Sequence, residues 1–196
     1  STVDGIIIPG GADIHPRFYE ANVDEAERRL IEKHKDKFRG STEGEVRDLF
    51  EFQVLKKYSS EDRFSQIPLL GICRGMQMMG VAQGLSLYQD IEAELNIPNR
   101  EYVIDEVVVP RGPTMMSSIF PSGSFYATKL HHQGIRVSYY FNKASDFSNI
   151  RLTSFSHKKR IAESLEYLNR PALGVQFHPE KSGLAGEMLL KNFAHL

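Results

Sequence analysis

Apolar positions fall along the chain in short clusters whose spacing changes character midway. Ile6-Ile7-Ile8 is a continuous apolar run stopped by Pro9-Gly10-Gly11. It predicts a short strand buried on both faces, as in a parallel sheet, ended by a turn whose glycines permit unusual backbone angles. From Glu25 to Phe38 the residues are mostly charged, with Leu30, Ile31 and Phe38 as the few apolar points, which predicts a solvent-facing helix or a mobile segment. Between Glu45 and Tyr58, the residues Val46, Leu49, Phe50, Val54 and Leu55 recur close to helical spacing, predicting an amphipathic helix packed on the sheet. A polar loop from Ser59 to Gln66 precedes Ile67-Pro68-Leu69-Leu70-Gly71-Ile72, a second buried strand in which Pro68 is tolerated only near the start. Met76 to Gly84 then predicts a helix closing at a glycine.

Strand, tight turn and helix in that order point to an α/β domain. The later half differs. Tyr102 to Val109, Phe125 to Leu130, Gly134 to Ser138, Ile150 to Phe155, Arg160 to Tyr167 and Leu173 to Phe177 are short β-rich segments separated by turn residues. With no internal repeat, low-complexity tract or linker, residues 1–196 are expected to form one domain.

Composition narrows the classes of function. The 24 Lys+Arg residues against 25 Asp+Glu leave a formal net charge of −1, without the clustered basic residues that a nucleic-acid or anionic-membrane surface needs. No run approaches the roughly 18 apolar residues of a membrane span. The chain has one cysteine, so neither an internal disulfide nor a Cys-x-x-Cys zinc or redox motif is available, and a reducing, cytoplasmic compartment is expected.

That cysteine lies in Gly71-Ile72-Cys73-Arg74-Gly75, where a buried strand is predicted to turn directly into a helix. The pattern has the form of a nucleophile elbow with cysteine in place of serine: a sharp turn lifts the side chain above the sheet, and the flanking glycines let the backbone pack around it. A helix N-terminus after Cys73 would favour the thiolate. A thiolate nucleophile needs a base, and the base needs an orienting partner. Val175-Gln176-Phe177-His178-Pro179-Glu180 offers both, because extended backbone at His178 would bring Glu180, two residues on, to the same side. Acyl chemistry also needs oxyanion donors, for which the backbone N–H groups of Pro9-Gly10-Gly11 and of Arg74 are candidates. Metal chemistry has little support: His178-x-Glu180 lacks the Pro-Cys-x-x-Cys of a zinc deaminase, and His131-His132-Gln133 has no third ligand at diagnostic spacing. Neither a Gly-x-Gly-x-x-Gly nor a Walker-type loop is present.

Asp4 to Pro16, Gly71 to Gln77, Leu87-Tyr88-Gln89-Asp90-Ile91, His131-His132-Gln133 and Gly174 to Glu180, taken in order, resemble the class I glutamine amidotransferase superfamily. More narrowly they resemble its γ-glutamyl-γ-aminobutyrate hydrolase-like branch. The resemblance implies a three-layer α/β sandwich of flavodoxin-like kind, with a central, mostly parallel sheet flanked by helices and a smaller antiparallel β portion. It implies a Cys73–His178–Glu180 triad that attacks a γ-glutamyl amide and passes through a thioester, with no cofactor and no metal. Gly11 and Arg74 match the oxyanion-hole positions, and Gln77, His132 and Gly10 match positions near the glutamyl pocket. The Arg74 side chain could additionally attract a glutamyl carboxylate. Relatives that instead pass ammonia to a partner synthetase, or that bind without catalysis, are the alternatives.

Two departures bear on those expectations. The chain opens at Ser1-Thr2-Val3-Asp4, where family members carry a further strand, helix and strand, so a second copy or a partner chain is a candidate to complete the sheet. Gln83-Gly84-Leu85-Ser86 and Lys129-Leu130 also differ from the family's usual residues at those places, which bears on the substrate pocket more than on the triad.

Overall fold

A computed structural model of the chain describes residues 3–42, 44–98 and 102–195; the opening Ser1-Thr2 lies outside them. Three short strands, β1 (Ile6–Ile8), β2 (Leu69–Ile72) and β9 (Ala172–Val175), run parallel, with Ile7, Leu70 and Leu173 in register. The sheet continues from β9 through β8 (Ile161–Tyr167), β7 (Ile150–Ser156), β4 (Val103–Val108) and β5 (Ser124–Lys129), each pairing antiparallel with its neighbour. The sheet is therefore mixed. Its parallel part is confined to these three strands, and the expected antiparallel portion is the continuation of the same seven-stranded sheet. A separate two-stranded ribbon joins β3 (Leu87–Tyr88) to β6 (Gly134–Ile135).

Alternate residues of β2 and β9 feed two cores, as expected for strands covered on both faces. β1 corrects the expectation of burial on both faces: Ile8 is buried, whereas Ile7, on the opposite face, is 56% exposed because nothing among the described residues packs over it. Ile8, Leu69 and Ala172 pack on one side with Met76, Met78 and Met79 of α3 (Arg74–Ala82) and with Leu55 and Tyr58 of α2 (Gly44–Ser60). Leu70, Leu173 and Val175 pack on the other with Met116 of α5 (Met115–Ile119) and Leu189 of α7 (Gly183–Phe193). This is the three-layer sandwich anticipated from the sequence. Among the described residues no helix is long and apolar enough to cross a membrane.

Three elements differ from the pattern reading. The charged stretch after Glu25 forms α1 (Glu25–Lys33), but it is docked as well as solvated: Ile31 is buried, and Glu27 is buried against Arg136 and Ser86. The helix at 44–60 exists, yet Val46 and Phe50 are 77% and 67% exposed while Asp48 and Glu51 face inward. Its packing partner is α3, whose first residue is an arginine, so part of the buried stripe is ionic. Finally, the segment read as β-rich from Gly134 to Ser138 pairs only at Gly134–Ile135 and then winds into α6 (Val137–Asn142). Tyr139 of that helix is seated beside Phe147 at 6.0 Å between ring centroids.

Candidate active site

The parallel strands deliver three motifs to one edge of the sheet. Pro9-Gly10-Gly11 follows β1, Cys73 follows β2, and Gln176-Phe177-His178 follows β9. The crevice beyond the carboxyl ends of parallel strands is where α/β sheets bind ligands.

Cys73 occupies the step between β2 and α3 with φ 53° and ψ −107°. A non-glycine residue in this region carries strain of about 1–3 kcal/mol, which the surroundings must hold in place. They do so with a hydrogen bond from the Cys73 N–H to the Val175 carbonyl at 2.7 Å and one from the Gln77 N–H to the Cys73 carbonyl at 3.2 Å. The flanking glycines are sterically required. A Cβ on Gly71 would lie 2.8 Å from the Gly75 carbonyl carbon, and one on Gly75 would lie 2.0 Å from the Ile8 carbonyl oxygen. The Gly-x-Cys-x-Gly pattern thus reflects close backbone approach on both sides of the elbow.

The Cys73 side chain is buried, its Sγ 3.6 Å from the donating Nε2 of Gln176 and 3.9 Å from the Leu130 carbonyl oxygen. Burial pushes the thiol up to about 12, opposed by the Arg74 N–H and Gln176 and reinforced by the charges of Glu180 and Glu163. The Arg74 N–H at the start of α3 favours the thiolate, in the expected direction, but desolvation outweighs the hydrogen bonds offered to sulfur. Below that value the thiol keeps its proton. Alkylation of Cys73 by iodoacetamide should therefore still accelerate as the pH rises past about 9, following the thiolate fraction. A rate that levels off below about pH 7 would contradict this picture.

His178 begins a short 3₁₀ turn, Pro179–Lys181, with its own backbone extended. Its Nδ1 lies 2.7 Å from Glu180 Oε1, as the i, i+2 spacing predicted. Because a carboxylate only accepts, Nδ1 carries the proton and Nε2 is left as the basic nitrogen. Nε2 is buried without a partner. The backbone around it is pinned by the His178 N–H donating to the Thr128 carbonyl at 2.9 Å and by the Ser182 hydroxyl donating to the His178 carbonyl at 2.7 Å. Gly10 joins the two halves of the site: a Cβ there would stand 3.4 Å from His178 Cε1 and 3.6 Å from Cys73 Cβ.

Arg74 departs from expectation. Its guanidinium is buried and paired with Asp48 and Glu51 of α2, so it is not free to attract a substrate carboxylate. Its backbone N–H stays at the elbow and donates toward the Cys73 sulfur. Gln77 is buried, donating from Nε2 to the Gln133 carbonyl at 3.0 Å and to Gln176 Oε1 at 3.2 Å. His132 is held between carboxylates, with Nε2 2.8 Å from Asp13 Oδ1 and Nδ1 3.3 Å from Asp90 Oδ2. It therefore ties the loops after β1, β3 and β5 together. Its neighbour His131 bonds through Nδ1 to the Gln133 carbonyl at 2.7 Å, and burial pushes it down to about 3, so this ring is neutral.

Sequence reasoning did not single out Gln176, which bridges Gln77 to the thiol. The signal was available, since alternation along an extended segment places Gln176 and His178 on one side. Asp13 and Asp90, which hold His132, and Arg47, Asp48 and Glu51 on α2 carry no local sequence signal of these contacts.

Comparison with known proteins agrees with this architecture. The chain is 29% identical over 184 residues to PB2B2.05 of Schizosaccharomyces pombe, covering 91% of this chain and 62% of that protein. It is 27% identical over 191 residues to gamma-glutamyl-gamma-aminobutyrate hydrolase PuuD of Escherichia coli K12, covering 91% of this chain and 64% of that one. The chain thus spans less than two thirds of the length of either relative. Among solved structures, a glutamine amidotransferase from Thermotoga maritima shares the fold with a TM-score of 0.53 at 15% identity, covering 98% of this chain and 84% of that one. The model of the Peptidase C26 family matches residues 1–180, and the chain belongs to that family.

Proposed function

We propose that residues 1–196 form one catalytic domain that hydrolyses the amide bond of a small γ-glutamyl compound through a thioester on Cys73, without a metal or organic cofactor. The observation that carries it is the His178 ring, oriented by Glu180 through Nδ1, with Nε2 unpartnered and Gly10 packed against both His178 and Cys73. With Nδ1 donating to Glu180, Nε2 has its lone pair free to accept the thiol proton.

Nε2 takes the thiol proton as Sγ bonds to the γ-carbonyl carbon, and the carbonyl oxygen becomes an oxyanion facing the N–H groups of Gly11 and Arg74. The C–N bond breaks as the imidazolium returns the proton to the leaving amine, leaving a glutamyl thioester. A water then gives a proton to Nε2 and adds to the same carbon, the C–S bond breaks, the sulfur recovers its proton, and glutamate departs. Gln77, His132 and Gly10, which match family positions near the glutamyl pocket, would stand on the side that receives the glutamyl group. The likeness to a γ-glutamyl-γ-aminobutyrate hydrolase supports an amine leaving group larger than ammonia.

The test is release of glutamate from γ-glutamyl-γ-aminobutyrate, γ-glutamyl peptides and glutamine. Turnover of the first two with little on glutamine is the expected result. Preference for glutamine would favour a glutaminase serving a synthetase, and no release from any of them would overturn both. His178→Ala should lower turnover at least about 10²-fold through loss of acid–base catalysis; unchanged turnover would remove His178 from the mechanism.

A further inference from the structure

The turn that would supply the Gly11 oxyanion donor is held from outside by a ladder of charges on α2. Arg47 Nη2 donates to the carbonyls of Pro9 at 2.9 Å and Gly10 at 3.1 Å, and its Nε donates to Glu51 Oε1 at 2.7 Å. The other oxygen of Glu51 receives Arg74, which also meets Asp48; Asp48 in turn accepts the His15 N–H at 2.9 Å. The ladder thus ties together the turn after β1, the chain that follows it and the first residue of α3.

The peptide bonds are trans, so the Gly10 carbonyl and the Gly11 N–H share a plane and point in opposite directions. Holding the carbonyl toward α2 turns the N–H away from α2. Among the described residues neither the Gly10 nor the Gly11 N–H meets an acceptor. Without the guanidinium a Gly-Gly step could rotate at small cost, since glycine has few forbidden backbone angles. Gly11 is also packed onto the ladder, where a Cβ would fall 2.3 Å from Arg47 Nη1 and 3.2 Å from Arg74 Cδ.

We infer that Arg47 is a positioning residue that locks the Pro9-Gly10-Gly11 turn with its amide ready to receive an oxyanion before substrate arrives. The inference rests on the thioester reaction proposed above. A purely structural ion pair is the competing account, and exposure helps to separate the two. The side chains of Asp48 and Arg74 are 1% and 3% exposed, and their removal would strand buried charge. Arg47 is 35% exposed, and Glu51 keeps Arg74 if Arg47 is lost.

The experiment compares the full chain with Arg47→Met and Arg47→Lys in two reactions of the same sulfur. Release of p-nitroaniline from γ-glutamyl-p-nitroanilide passes through an oxyanion; alkylation by iodoacetamide does not. For Arg47→Met the expected result is a kcat about 10²-fold lower, as for loss of one oxyanion donor, with KM and the alkylation rate unchanged. Arg47→Lys, which can still reach one carbonyl, should recover part of the loss. Should Arg47→Met fail to fold, Arg47→Lys carries the comparison alone, with a reduced kcat at unchanged KM and alkylation rate expected. An unchanged kcat, or alkylation falling in parallel with kcat, overturns the inference. If the parent chain alkylates at Cys73 but releases no p-nitroaniline, the reaction assigned to the site fails, and the inference with it.

Discussion

Cys73→Ala is expected to lower turnover of γ-glutamyl amides by about 10⁴-fold or more, because it removes the atom that forms the covalent intermediate. A loss of 10⁴ corresponds to about 5.5 kcal/mol of transition-state stabilisation. No neighbouring group can compensate. Cys73 is the only cysteine in the chain, and the bonds that His178 and Gln77 make to Glu180, Gln133 and Gln176 position them around the sulfur without supplying a nucleophile. Folding should survive, since alanine keeps the Cβ at the elbow and forgoes the Gln176 hydrogen bond at 3.6 Å, the contact to the Leu130 carbonyl at 3.9 Å and the donation from the Arg74 N–H. The measurement is steady-state amine release with a thermal melt alongside. Residual activity within tenfold of the parent would mean that the sulfur is a bystander.

Gly75→Ala should damage the site from within the fold. The added Cβ would stand 2.0 Å from the carbonyl oxygen and 2.9 Å from the carbonyl carbon of Ile8. These are backbone atoms of β1 and cannot rotate aside, so the start of α3 must lift from the sheet. Overpacking of this kind costs about 3 kcal/mol or more when backbone must move, equivalent to a fall in Tm of roughly 6–12 °C for a chain of this size. Activity should fall further than stability alone explains, because Cys73 and the Arg74 N–H are displaced together. Gly112→Ala is the control: a Cβ there meets nothing within 4 Å, and its melt should match the parent. Equal melting temperatures for Gly75→Ala and Gly112→Ala would show that α3 does not sit on β1 as described.

The catalytic candidates were legible because each announces itself locally. Gly71 and Gly75 flank Cys73 in response to close backbone contacts, and Pro179 keeps His178 extended with Glu180 two residues on. The Leu-Leu-Gly-Ile run was legible as a buried strand, since burial on both faces demands continuous apolar sequence; the triple-isoleucine run was legible as a strand, but it is covered on one face only, with Ile7 exposed on the other. The orientation of α2 was not. Hydrophobic periodicity assumes an apolar interior, whereas Asp48 and Glu51 turn inward to meet a guanidinium from α3. α6 was hidden by its composition: Val137, Tyr139, Tyr140 and Phe141 carry strand propensity, and packing around Phe147 overrides it. The protonated state of the thiol was out of reach as well, because it depends on burial by segments distant in sequence.

The most direct test of the account is the chemical state of the sulfur during turnover. The parent chain, mixed with γ-glutamyl-γ-aminobutyrate and quenched in acid within one turnover, should carry a glutamyl group on the peptide containing Cys73, detected by mass spectrometry and absent from Cys73→Ala. Glutamate released at full rate with no adduct on that peptide, or an adduct on another residue, would contradict the assignment of Cys73 as the nucleophile.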